Sequence, residues 1–138
     1  MLRKIKPHLI EGILFLVIIS LLSMGTYFRN EVWNDEIGLW KDCIKKSPQK
    51  TRPYVNLGIA YINAGIYDQA LKSIHIALGI DPKAGLAYYY GGIVHQKMGD
   101  LNRAIDMAKK ALELNPDLHM AHYTLGGMYF EKGEYQES

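Results

Sequence analysis

The chain has 138 residues, 49% hydrophobic and 22% charged, which fits one compact folded domain and excludes a disordered tail or a collagen-like rod. Its net charge of +2 lies at the N-terminus: Arg3, Lys4 and Lys6 outweigh Glu11, while residues 29–138 carry 13 basic and 13 acidic side chains. A neutral body offers no electrostatic footprint for a nucleic-acid backbone, and a single cysteine, Cys43, excludes an intramolecular disulfide, a CxxC redox pair and a thiolate-rich zinc site.

Residues 1–8 form a basic flank, and residues 9–28 follow with Glu11 as their only charge. Twenty residues at 1.5 Å rise make a helix of roughly 30 Å, the depth of a hydrocarbon core. The expectation is a transmembrane helix over 9–28. Arg3, Lys4 and Lys6 precede it, while Arg29, Glu31, Asp35 and Glu36 follow. The positive-inside rule then keeps the N-terminus in the cytoplasm and places the rest outside, in a periplasm or lumen. Tyr27, Phe28 and Trp33 suit the outer interface, and Glu11 lies close enough to the basic flank to reach the headgroups. Cleavage after Ser23-Met24-Gly25 competes weakly, because the apolar run continues to Phe28. A buried core helix would show polar residues on one face, and residues 12–28 carry no charge.

Beyond residue 28 the chain repeats itself. Pro48, Pro82 and Pro116 are 34 apart, as are Gly58, Gly92 and Gly126, and Gly65, Gly99 and Gly133. Counting back by 34 sets Trp40, Cys43 and Pro48 at the places of Ile74, Ala77 and Pro82, so residues 32–46 read as the second helix of a degenerate first repeat within a 29–50 linker. Cys43 then reads as a small packed residue. In the first full repeat, 51–84, Tyr54, Leu57, Gly58, Tyr61 and Ile62 recur at helical spacing and Gly65 supplies a left-handed stop. A second run follows through Ala70, Leu71, Ile74, Ala77 and Leu78, and Asp81-Pro82 breaks it. First helices are expected over 52–64, 85–98 and 119–132, and second helices over 68–80 and 101–114. Gly58 with Ala70, and Gly92 with Ala104, are expected to face each other where two helices approach closely.

These residues resemble the tetratricopeptide repeat. Tyr54, Leu57-Gly58, Tyr61, Gly65, Ala70, Ile74, Ala77 and Pro82 match its pattern. The second repeat, 85–118, departs at Gly91, His95 and Ala108. The third, 119–138, shows His122, Leu125-Gly126, Tyr129 and Gly133 and stops at Ser138, so the chain reads as truncated. The resemblance implies an all-α fold, a transmembrane helix followed by a solenoid of antiparallel helix pairs. Arg29-Asn30, Trp33, Glu36, Leu39-Trp40, Ile44 and Pro48 also resemble the junction between membrane and repeats in the transmembrane and tetratricopeptide O-mannosyltransferase family.

No constellation for catalysis is present: there is no P-loop, no G-x-S-x-G and no H-E-x-x-H. His119 and His122 are three apart, but His122 takes the place of Tyr54 and Tyr88, and His95 that of Tyr61 and Tyr129, so core substitution accounts for them without a metal. Asp100 with Asp106, and Glu131 with Glu134, read as solvated carboxylates.

The resemblance also implies a groove lined by the first helices. Its positions map to Arg52, Val55, Asn56, Ile59, Ile62 and Asn63 in the first full repeat. The second supplies Leu86, Tyr89, Tyr90, Ile93, Gln96 and Lys97, and the third Met120, Tyr123, Thr124, Phe130 and Glu131. Val55, Tyr89 and Tyr123 form one apolar and aromatic column. The Lys and Asn clamp of family members that grip a C-terminal carboxylate is absent, since Val55, Ile59, Tyr90, Met120 and Thr124 stand at its positions. The function expected is a membrane-anchored scaffold that binds a protein or peptide segment, with no cofactor, metal, nucleic acid or small-molecule substrate. The alternative is the C-terminal piece of a polytopic glycosyltransferase whose catalytic part lies outside this chain. A component of an envelope-assembly complex is a third reading.

Overall fold

The computed structural model describes residues 12–24 and 35–133. Residues 12–24 form helix α1. Six more follow: α2 (Glu36–Lys46), α3 (Thr51–Asn63), α4 (Tyr67–Ile80), α5 (Gly85–Lys97), α6 (Leu101–Leu114) and α7 (His119–Lys132). The described residues are all-α, and the helices from α3 onward begin and end within a residue of the sequence expectation.

The expected span of 9–28 is described only in part. Helix α1 is uncharged and its side chains are exposed, with the Ser20 hydroxyl donating to the Leu16 carbonyl at 2.8 Å. At 1.5 Å per residue, residues 12–24 rise about 20 Å. Among the described residues no helix is long and apolar enough to cross a membrane. Residues 9–11 and 25–28, like the basic flank, Glu11, Tyr27, Phe28 and Trp33, lie outside the described part.

Two kinds of turn join the other helices, each fixed by sequence. Gly65 and Gly99 hold φ of 73° and 83°, a left-handed conformation that a side chain resists. After Gly65 the Ile66 N–H donates to the Tyr61 carbonyl at 2.8 Å and the Gly65 N–H to that of Ile62 at 3.0 Å. Gly99 repeats both bonds, from Asp100 to His95 and from Gly99 to Gln96. Pro48, Pro82 and Pro116 shape the other kind: Lys50, Ala84 and Leu118 donate to the carbonyls of Ser47, Asp81 and Asn115 at 3.1–3.2 Å. Asp100 was read above as a solvated carboxylate; instead it caps α6, accepting from the Arg103 N–H at 3.1 Å.

Packing runs along the chain: α3 pairs with α4 and α5 with α6, and α2, α4 and α6 each lie against the first helix of the following repeat. The core is shared between neighbouring repeats. Val55, Ile74 and Ala77 meet Ala87 of the next repeat, and Tyr89 and Ala111 meet Leu118 and Ala121. Trp40, Ile37 and Ile44 of α2 pack on Leu57 and Tyr61, which places α2 as the second helix of an incomplete repeat.

The departure at Gly91 has a packing reason. Leu57 of the first full repeat faces the small Ser73, whereas 34 residues on the pair becomes Gly91 and Met107. A Cβ on Gly91 would fall 2.5 Å from Met107 Cε, so the methionine fills the volume that leucine holds in the preceding repeat.

Candidate binding groove

The first helices α3, α5 and α7 carry the expected groove residues. Helix α3 lies against α5, and two side-chain contacts tie α5 to α7. The Tyr89 and Thr124 hydroxyls meet at 3.4 Å, and the Gln96 amide donates to the Glu131 carboxylate at 2.9 Å. Thr124 is fixed from its own side by donating to the Met120 carbonyl at 2.7 Å. Sequence reasoning took Glu131 as a solvated carboxylate; its partner is one repeat away on a neighbouring helix, beyond the reach of an i,i+4 rule.

The column of Val55, Tyr89 and Tyr123 is not one surface. Val55 is 6% exposed and Tyr89 7%, because each packs into the joint with the following repeat, so neither offers a face to a ligand. This corrects the expectation for both residues. Tyr123 is 87% exposed. The residues that do line the row are half-buried Asn56, Ile59, Tyr90, Ile93 and Thr124, with Arg52, Asn63, Lys97 and Met120 exposed around them. Ile62 is half-buried and turned instead toward Leu57, Tyr61 and Ala70. Tyr90 stands edge-on to Tyr89, ring centroids 4.9 Å apart, and burial raises its pKa, so its phenol stays neutral at physiological pH.

The histidines take separate roles. His122, expected in the core, is exposed and its Nε2–H donates to the Pro116 carbonyl at 2.9 Å, tying α7 to the preceding turn. His95 is half-buried at the place of Tyr61 and Tyr129. Those tyrosines each lie under a lysine of the preceding second helix, Lys41 at 5.8 Å and Lys109 at 5.4 Å. The intervening joint replaces Lys and Tyr with His75 and His95.

Burial lowers the His95 pKa, aided by Arg103 and His75 and opposed by Asp100. A lowered folded pKa means that the unfolded chain takes up the proton first. The stability His95 allows is complete above its unfolded value of about 6.5 and declines as pH falls from there through the lowered folded value. The double substitution His75→Lys and His95→Tyr, which restores the pair of the other joints, is expected to flatten the melting temperature between about pH 7 and pH 5. Thermal unfolding at a series of pH values checks it. Among the described residues there is no group of three or more His, Cys, Asp or Glu that could hold a metal.

With this geometry in place, the family model described as tetratricopeptide repeat matches residues 91–138. The chain carries tetratricopeptide repeats. BBSome complex member BBS4 of Bos taurus is 36% identical over 83 residues, 60% of this chain and 16% of that protein. The chain thus spans about one sixth of that relative's length. The solved structure of YrrB, described as a tetratricopeptide-repeat protein with an unusual peptide-binding site, superposes with a TM-score of 0.65 at 25% identity, covering 69% of this chain and 49% of YrrB. The first tetratricopeptide domain of Spaghetti (RPAP3), solved with the HSP90 peptide SRMEEVD, superposes at 0.68 over 79% of this chain and 86% of that domain. At 18% identity it shows a common fold. These matches lend no support to the O-mannosyltransferase junction, whose residues 29–34 lie outside the described part.

Proposed function

We propose that this chain is a membrane-anchored scaffold whose tetratricopeptide repeats hold a protein or peptide segment along the row formed by α3, α5 and α7. The observation that carries the reading is that row itself. Ile59, Tyr90 and Ile93 offer half-buried apolar and aromatic area held in place by the core beneath, while Asn56 and the exposed Arg52, Asn63 and Lys97 supply polar contacts at its edge. Fixed aromatic area costs little side-chain entropy on binding, which suits recognition of an extended or helical segment. The peptide-binding site ascribed to YrrB supports the same use of these repeats. The absence of lysine and asparagine at the clamp positions argues against a C-terminal carboxylate as the anchor point.

The anchor is the apolar stretch 9–28, and the surplus of Arg3, Lys4 and Lys6 favours a cytoplasmic N-terminus with the repeats on the far side of the membrane. Photo-crosslinking in intact cells tests the scaffold. A benzophenone side chain at the exposed positions Asn63 or Lys97 is expected to capture a defined partner, identified by mass spectrometry, while the same probe at Lys72 or Asp106 on the second helices captures none. Equal capture from both faces, or none from either, would overturn the groove. Release of the protein from membranes by alkaline carbonate would overturn the anchor.

A further inference from the structure

Gly58, Gly92 and Gly126 occupy one place in three successive first helices. A Cβ on Gly58 would fall 2.9 Å from Ile74 Cδ1, and one on Gly92 3.0 Å from the Ala104 carbonyl oxygen, because α4 and α6 close over those faces. A Cβ on Gly126 or Gly127 would meet nothing within 4 Å. Tyr123 is exposed where Val55 and Tyr89 are buried, and Met120 is 51% exposed beside it. An open cleft of about 640 Å3 runs past Tyr123, Gly126, Gly127 and Gln96. The face that the earlier first helices bury is open on α7.

Internal symmetry says what fits there. The covering helices present a stripe spaced i, i+4, i+7: Ala70, Ile74 and Ala77 on α4, and Ala104, Ala108 and Ala111 on α6. Small residues at both ends of the stripe let the helix approach the glycine of its partner. We propose that the Tyr123, Gly126 and Gly127 face of α7 docks an amphipathic helix of a partner protein carrying that small, small-or-aliphatic, small stripe. The surface is distinct from the groove, and the proposal does not depend on it. A folded second copy is a poor source. Its Ala70, Ile74, Ala77, Ala104 and Ala111 are fully buried, and α2 puts Glu36, Trp40 and Cys43 at the stripe positions. Residues 134–138 reach only the first stripe position, with Ser138 at the place of Ala104.

The probe is a fluorescein-labelled peptide of residues 100–117, the α6 sequence with its cap, added to the full 138-residue chain in detergent micelles. Anisotropy is expected to show saturable binding that Gly126→Leu weakens by about tenfold or more, the overpacking effect expected in a closely packed joint. Because Gly126 faces open space, that variant should keep the melting temperature of the parent, so loss of binding cannot be ascribed to unfolding. Glutamate at Ala104 and Ala108 in the peptide should abolish binding. No binding by the parent chain would overturn the proposal, as would binding that ignores Gly126→Leu. Sedimentation of the chain as a dimer that Gly126→Leu dissolves would assign the face to a second copy and overturn it as well.

Discussion

Replacing Ile74 with alanine is expected to destabilise the solenoid by about 2 to 5 kcal/mol, the range for truncating a large aliphatic side chain in a closed core. Ile74 is fully buried and is among the largest side chains so enclosed. It fills the space over Gly58, joins Val55 and Ala77 within its own repeat, reaches Ala87 of the next, and its Cγ2 lies 3.4 Å from the Cβ position of Gly91. Its loss therefore loosens both a helix pair and the joint to the following repeat. Because each repeat is stabilised by its neighbours, weakening one joint lowers the stability of the units on either side. For a unit of about 100 residues the expected fall in melting temperature is roughly 10 °C or more, read by far-ultraviolet circular dichroism. A fall of only a degree or two would show that this joint is not closed as described.

The second large effect is expected at Gly92. A Cβ there would stand 3.0 Å from the Ala104 carbonyl oxygen and 3.4 Å from the Ala108 amide nitrogen, both backbone atoms that cannot rotate away. Gly92→Leu must push α6 off α5, at a cost of about 1 to 3 kcal/mol or more, which exceeds the fraction of a kilocalorie gained by removing a helical glycine. The same substitution one repeat later, Gly126→Leu, meets open space and should leave the melting temperature unchanged. Thermal melts of the two variants side by side check the contrast. Equal effects would mean that α7 has a cover of its own.

That contrast separates what was legible in the sequence from what was not. The identity of Gly58, Gly92 and Gly126 at a spacing of 34 marks them as equivalent, and sequence logic assigns all three the same role. Only packing reveals that the third has no helix against it. The groove column failed for the same kind of reason. Val55, Tyr89 and Tyr123 share one helical position, yet whether that position is surface depends on a helix 34 residues further on, and no local pattern records its presence. His75 and His95 stand 20 residues apart with nothing in the periodicity to link them, until equivalence with the Lys41–Tyr61 and Lys109–Tyr129 contacts sets them in one joint.

By itself the sequence determined the period, the helix boundaries from α3 onward and the two kinds of turn. Those depend on forces acting within a few residues: the left-handed φ that glycine permits, the break that proline imposes, and the amphipathic spacing of a helix. It also marked Gly58 and Gly92 as points of close approach. The tertiary structure decided which repeat positions are core and which are surface, how Met107 compensates for Gly91, and that α7 keeps an open face. Burial belongs to pairs of elements, and in a solenoid the partner of each helix comes from the next turn of the chain.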